Sequence, residues 1–196
     1  MPPPSLDIAE AMRASAPARL ISVDEFHRMI ASGIIDEDEH VELIEGVLVA
    51  MTPQSASHAR VIQRLTFHFA RSLPEELRVL VQAPLALGNW SEPEPDFAVV
   101  TREEAEREDG HPTAALLVVE VARSSLRKDR LKAALYAEYG IPEYWIVNDA
   151  DDCIEVHRDP DPTAKRYRTV FRVSRGESLR PLAVPAPEVD VGALLR

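Results

Sequence analysis

The run AALLVVEVA at residues 114–122 constrains the fold more than any other stretch. A strand apolar on both alternating faces belongs at the centre of a sheet covered on both sides. Its exception is Glu120, and an unpaired charge is costly to bury in such a strand. A second apolar strand, DFAVVT at residues 96–101, opens on another carboxylate, Asp96. If the two strands are neighbours, both acids can converge on one divalent cation. Mg²⁺ takes oxygen ligands and is commonly held by one or two carboxylates plus substrate phosphate. The bland alternative pairs Glu120 with Arg123 or Lys132 and leaves Asp96 capping a turn.

The rest of the chain supplies a scaffold. Residues 1–20 (MPPPSLDIAEAMRASAPARL) are rich in Pro and Ala and are expected to form a flexible tail. Ser22 or Asp24 can cap a short helix carrying Phe26, Met29 and Ile30. HVELIEGVLVAM at residues 40–51 reads as a β-hairpin turning at Glu45-Gly46. Pro53 punctuates, and Ser55 or Ser57 caps a helix that presents Val61, Leu65 and Phe69 and runs to about Ser72.

Residues 78–87 read as a strand that Pro84 places at an edge or bend. Residues 102–112 read as a solvated charged loop. Ser124 or Ser125 caps a helix to about Tyr139, with Gly140 after its end. Residues 143–148 form the next strand, and residues 153–158 and 166–173 form an antiparallel pair. Residues 189–195 form a short terminal helix. The expected architecture is a single domain over residues 21–196, an α/β (α+β) mixed sheet flanked by helices.

Composition narrows the function. Of 196 residues, 45% are hydrophobic, which suffices for a substantial core, and the net charge is −11. An acidic chain is not an avid, sequence-independent nucleic-acid binder with a broad basic face. A small basic groove, or an acidic site neutralised by cations, stays compatible with it. One cysteine, Cys153, leaves no internal disulfide to form. No apolar run is long enough for a membrane span, and no hydrophobic signal segment opens the chain, so the cytoplasm is the expected location. The sequence holds no Gly-rich phosphate loop, no HExxH and no GxSxG. His40, His58, His68 and His111 show no metal-ligand spacing.

Pro95-Asp96 followed by Glu120-x-Ala122 resembles the PD-(D/E)xK nuclease superfamily. Within it, VELIEGVLVAM, the His58 helix, VQAPLALGNWSEPEPDFAVV, LLVVEVARSSL and DRLKAALYAEYGIPEYWIVN resemble the Uma2 family of restriction-endonuclease-like proteins. The resemblance implies a restriction-endonuclease-like fold, Mg²⁺ or Mn²⁺ as cofactor, DNA as substrate and a homodimer. It implies Asp96 and Glu120 as metal ligands. The lysine expected two residues after the Glu is replaced by Ala122, and the matching lysine is Lys132 on the following helix. Lys132 shares a helix face with Tyr136, and Asp129 lies one turn earlier. Arg123 stands where an acidic or small polar residue is expected.

Glu42, ahead of Glu45 in VELIEG, is implied as a further acid of the site. His58, in the first turn of its helix, can contact phosphate or a metal-bound water, and Gln82 is a weaker candidate of that kind. The first functional expectation is therefore a Mg²⁺-dependent endonuclease using Asp96, Glu120, Lys132, Glu42 and His58. The second is a catalytically inert binding or assembly module, which Arg123 would favour if it filled the space between the carboxylates. Glycoside hydrolysis also uses two carboxylates, but Trp90 and Trp145 are the chain's only tryptophans to line a sugar cleft.

Overall fold

The structure, a computed structural model, describes residues 19–36, 38–51 and 54–196. Most of the expected N-terminal tail (up to residue 18) and Pro53 lie outside the described residues. The elements in chain order are α1 (Val23–Ala31), β1 (Val41–Ile44), β2 (Val47–Ala50), α2 (Ala56–Ala70), β3 (Leu77–Val81) and β4 (Phe97–Thr101). They continue with α3 (Arg102–Ala105), β5 (Leu117–Ala122), α4 (Leu126–Glu138), β6 (Glu143–Asn148), β7 (Cys153–Asp161) and β8 (Arg166–Ser174). The last three are β9 (Ser178–Leu179), β10 (Val189–Asp190) and α5 (Val191–Leu194).

Six strands form one mixed sheet in the order β3-β4-β5-β6-β7-β8. Only β5 and β6 run parallel, as a crossover through a helix requires. That helix is α4. Every residue of β5 and β6 is buried, so the most apolar stretch of the sequence is indeed the centre of the sheet. One face packs Val61, Leu65 and Phe69 of α2 against Phe97, Val119 and Trp145. The other packs Leu135 and Tyr136 of α4 against Ala98, Val118, Ala122, Tyr144 and Ile146. The β1–β2 hairpin stands apart from this sheet and bridges through Leu43 to Glu92, in the segment before β4. The mixed α/β architecture expected from the sequence is the one observed.

Local chemistry accounts for most boundaries. Ser22 accepts the Glu25 N–H and Ser55 the His58 N–H, so each caps its helix. Gly46, at φ +78, closes the hairpin turn where a Cβ would collide with Leu20. Four expectations need correction. The strand expected over residues 78–87 stops at Val81, because Gln82 takes a left-handed φ of +49. Beyond it, Leu85 and Leu87 donate to the Pro93 and Ser91 carbonyls. The charged loop begins with a helical turn, α3, capped by Thr101. Ser125 does not cap α4; its hydroxyl donates to Asp129 at 2.6 Å. The terminal helix is shorter than expected, since Val189 and Asp190 pair with Leu179 and Ser178.

Leu65 is fully buried between α2 and the sheet, whereas Phe67 on the same helix is 65% exposed. Leu65→Ala is expected to lower the unfolding free energy by about 2–5 kcal/mol. Phe67→Ala should stay within about 0.5 kcal/mol of the parent. Urea unfolding of the two variants checks the packing assignment.

Candidate active site

The register between β4 and β5 builds the site. Phe97 lies across from Val119 and Ala98 across from Val118. One step further along this antiparallel ladder sets Asp96 across from Glu120. Alternation places both on the sheet face that α4 covers, with Ala98, Val118 and Ala122. Asp96 is fixed by the Val121 N–H, which donates to its Oδ2 at 2.8 Å, and His58 Nε2 lies 2.9 Å from the same oxygen. His58 arrives from the opposite layer because it sits in the first turn of α2, at the end of the sheet.

From above, α4 delivers Lys132 and Tyr136 on one face. Lys132 Nζ lies 2.8 Å from Glu120 Oε1 and 2.7 Å from Glu42 Oε2. The Tyr136 hydroxyl donates to Glu120 Oε1 at 3.1 Å. Lys128, one turn earlier, donates to Glu42 Oε1 at 3.2 Å, and the Glu94 N–H donates to Glu42 Oε2 at 3.3 Å. Glu42, Glu120 and Lys132 are all buried. These groups line a cavity of about 250 Å³.

All five residues singled out by sequence therefore meet in one place: Asp96, Glu120, Lys132, Glu42 and His58. Gln82 lines the same cavity. Glu45 does not; it is exposed in the hairpin turn, with Lys165 Nζ 3.7 Å away. Arg123 is not wedged between the carboxylates. It is exposed at the rim, where it donates to Ser57 Oγ at 2.7 Å. Arg130 turns away to Glu155. The cavity is also lined by Glu94, which was not a sequence candidate, and by Lys128 and Asp129 from the start of α4. Their signals were spacing. Glu94 is two residues before Asp96, and Lys128 and Asp129 lie one turn before Lys132.

Burial dominates the electrostatics. It pushes Glu120 from an ordinary 4.5 up to about 8; Lys132 opposes the rise, and Asp96 adds to it. Burial alone would pull Lys132 down, but the carboxylates of Glu120 and Glu42 outweigh it and hold the ammonium charged. Burial raises Asp129 and Glu94 as well, the latter helped by Glu42.

The donor set fits a hard divalent cation. Among the described residues, Asp96 Oδ1 and Glu120 Oε2 accept no hydrogen bond, while their partner oxygens are held by His58, Val121, Lys132 and Tyr136. Each carboxylate is thus oriented by one oxygen and left with the other to offer. Among the described residues, the buried His58 Nδ1 also has no hydrogen-bond partner.

Comparison with known proteins gives a family and a fold. The family described as "Uma2: Putative restriction endonuclease" matches residues 23–192. A solved structure described as a "putative nuclease belonging to DUF820" from Anabaena variabilis superposes with a TM-score of 0.73 at 16% identity. That alignment covers 89% of this chain and 97% of the other, and it shows a shared fold. No curated protein matches the chain.

The raised Glu120 has a consequence for stability. A buried acid that prefers its proton contributes fully below its unfolded value near 4.5, and that contribution is lost as pH rises through about 8. Glu120→Gln, neutral at every pH, is expected to flatten the decline in stability between those limits. Denaturant unfolding of parent and variant across that pH range checks it. Lys132→Met should lower stability by about 3–5 kcal/mol, because it leaves buried Glu42 and Glu120 without the cation that lies between them.

Proposed function

Because the chain belongs to the Uma2 family of restriction-endonuclease-like proteins, we propose that it is a divalent-metal-dependent endonuclease that hydrolyses DNA phosphodiester bonds. The observation that carries this reading is the pair of oriented carboxylates, each with one oxygen that accepts no hydrogen bond among the described residues, lining a cavity with a buried ammonium. Asp96 and Glu120 are the residues that would hold Mg²⁺ or Mn²⁺. Bound there, such an ion supplies Lewis acidity toward a phosphodiester and activates a water.

The chain's own groups do the rest. Lys132, held charged at Glu120, places a fixed positive charge where a pentavalent phosphorane gathers negative charge. Glu42 keeps that ammonium in position from the other side. Val121 N–H and His58 hold Asp96 in a single orientation. Lys128 and Arg123 stand at the mouth, where they can meet a phosphate backbone despite the chain's net charge of −11.

Arg123 between the carboxylates would have favoured the inert-module reading. Its bond to Ser57 supports the catalytic reading instead. Residues 21–196 would act as one domain, and a homodimer would offer one site to each strand of a duplex. Among the described residues, no helix is long and apolar enough to cross a membrane, and a cytoplasmic location suits a DNA substrate.

A cleavage assay on supercoiled, linear and single-stranded DNA with Mg²⁺ or Mn²⁺ tests the proposal. Metal-dependent cleavage is expected in the parent and is abolished in Asp96→Ala and Glu120→Ala. Lys132→Ala is expected to lose roughly 100-fold or more in rate. Wild-type-like cleavage by either carboxylate variant would sink the assignment. Since a cation must displace a proton from Glu120, Mn²⁺ binding should tighten as pH rises toward about 8, measurable by calorimetry.

A further inference from the structure

A second cluster of metal-ligating side chains lies on a different part of the molecule. His27 of α1, Glu92 of the segment before β4 and His111 of the segment before β5 offer one ligand atom each, all within 4.8 Å of one another. Sequence spacing could not show this, because positions 27, 92 and 111 have no motif in common and only the fold brings them together.

The central ligand is a buried carboxylate without a fixed cation. Glu92 is 5% exposed, and both its oxygens lie 2.9 Å from His27 Nε2. Among the described residues, no Lys or Arg forms an ion pair with it. A buried carboxylate left to an imidazole alone is poorly compensated, and a dication would satisfy it. The imidazoles of His27 and His111 stand edge-on with centroids 6.3 Å apart, both open to solvent, so an ion has a way in. The cluster borders a cavity of about 410 Å³ walled by Phe26, Ile30, Val41 and Pro84.

The ligands sit on anchored backbone. Glu92 exchanges both main-chain hydrogen bonds with Leu43 of β1, at 2.7 and 3.3 Å. Pro112, next to His111, accepts the Ala86 N–H at 2.8 Å. The Val23 N–H at the start of α1 donates to Asn89 O at 2.9 Å. A site pre-formed in this way needs little reorganisation to take an ion.

We propose that His27, Glu92 and His111 form a Zn²⁺-class transition-metal site, separate from the Asp96–Glu120 site. Two imidazoles and one carboxylate are a borderline donor set suited to Zn²⁺ and its neighbours, whereas Mg²⁺ demands oxygen. Three protein ligands leave a fourth position for water. The ion ties α1 and two distant segments together and closes long stretches of chain. It also steadies the segment that carries Glu94 and Asp96 into the first cavity, since Glu94 lines both cavities. The proposal stands whether or not the protein cleaves DNA.

The test is Zn²⁺ titration of chelator-stripped full-length protein in excess Mg²⁺, by calorimetry and by thermal unfolding. Asp96→Asn serves as a background that disables the first site. A single tight equivalent, with a raised unfolding midpoint, is expected in the parent and in Asp96→Asn. Both should be lost in His111→Ala and His27→Ala, with affinity falling roughly tenfold or more. Co²⁺ substitution should give visible d–d absorption that vanishes in the same two variants. His111 and His27 are solvent-facing, so these variants should keep the parent's far-UV spectrum. Zn²⁺ binding that is absent from the parent, unchanged in both histidine variants, or removed by Asp96→Asn overturns the proposal.

Discussion

The ammonium of Lys132 is the interaction on which the site depends. It stands almost wholly out of water between two carboxylates that belong to separate parts of the chain, Glu42 in the hairpin and Glu120 in the central strand. Without it, two buried acids would face each other and Asp96 across one cavity, and the hairpin would lose its strongest tie to α4. Lys128 reinforces Glu42 but is partly exposed and so carries less of the electrostatic load. One cation therefore both joins the hairpin to the sheet and supplies positive charge at the chemical centre.

That arrangement explains an apparent defect in the sequence. Ala122, where a lysine would be expected on the strand, is fully buried and packs under α4. A long charged side chain there would have to displace that packing. Moving the ammonium onto α4 keeps the strand apolar and approaches Glu120 from above. The helix can do this because Lys132 and Tyr136, four residues apart, both fall on the face that meets the sheet. The low amphipathicity of this helix has the same origin: its inward face carries Asp129 and Lys132 beside Leu135 and Tyr136.

The two cation sites, one proposed for catalysis and one for a transition metal, divide along donor chemistry. The first offers carboxylate oxygens, and the histidine that reaches them, His58, is bound to Asp96. The second offers two imidazoles on the surface and one sequestered carboxylate. The segment 91–96 serves both, with Glu92 turned to one side and Asp96 to the other, and with Glu94 between them.

Much of this was legible in the residues. The apolar run 114–122 pointed to a central strand, which the structure begins at Leu117, and Glu120 stood out against that background. Ser22 and Ser55 announced two helix starts through ordinary capping chemistry. The family resemblance named Asp96, Glu120, Lys132, Glu42 and His58. Other features were not legible. The end of β3 turns on a single left-handed residue, Gln82, whose type does not require that conformation. Ser125 chose Asp129 over its own helix terminus because a buried carboxylate was within reach. Glu42 and Glu45 look alike in VELIEG, yet one is fully buried and the other exposed, since side chains alternate across a strand and the turn releases the next acid to solvent. The sequence by itself determined which strands are central and which charges are out of place in them. Only the tertiary structure decided which oxygen of each carboxylate is already taken, where Arg123 points, and that His27, Glu92 and His111 meet. Those depend on chain segments far apart in sequence, whose approach is set by packing rather than by any local pattern.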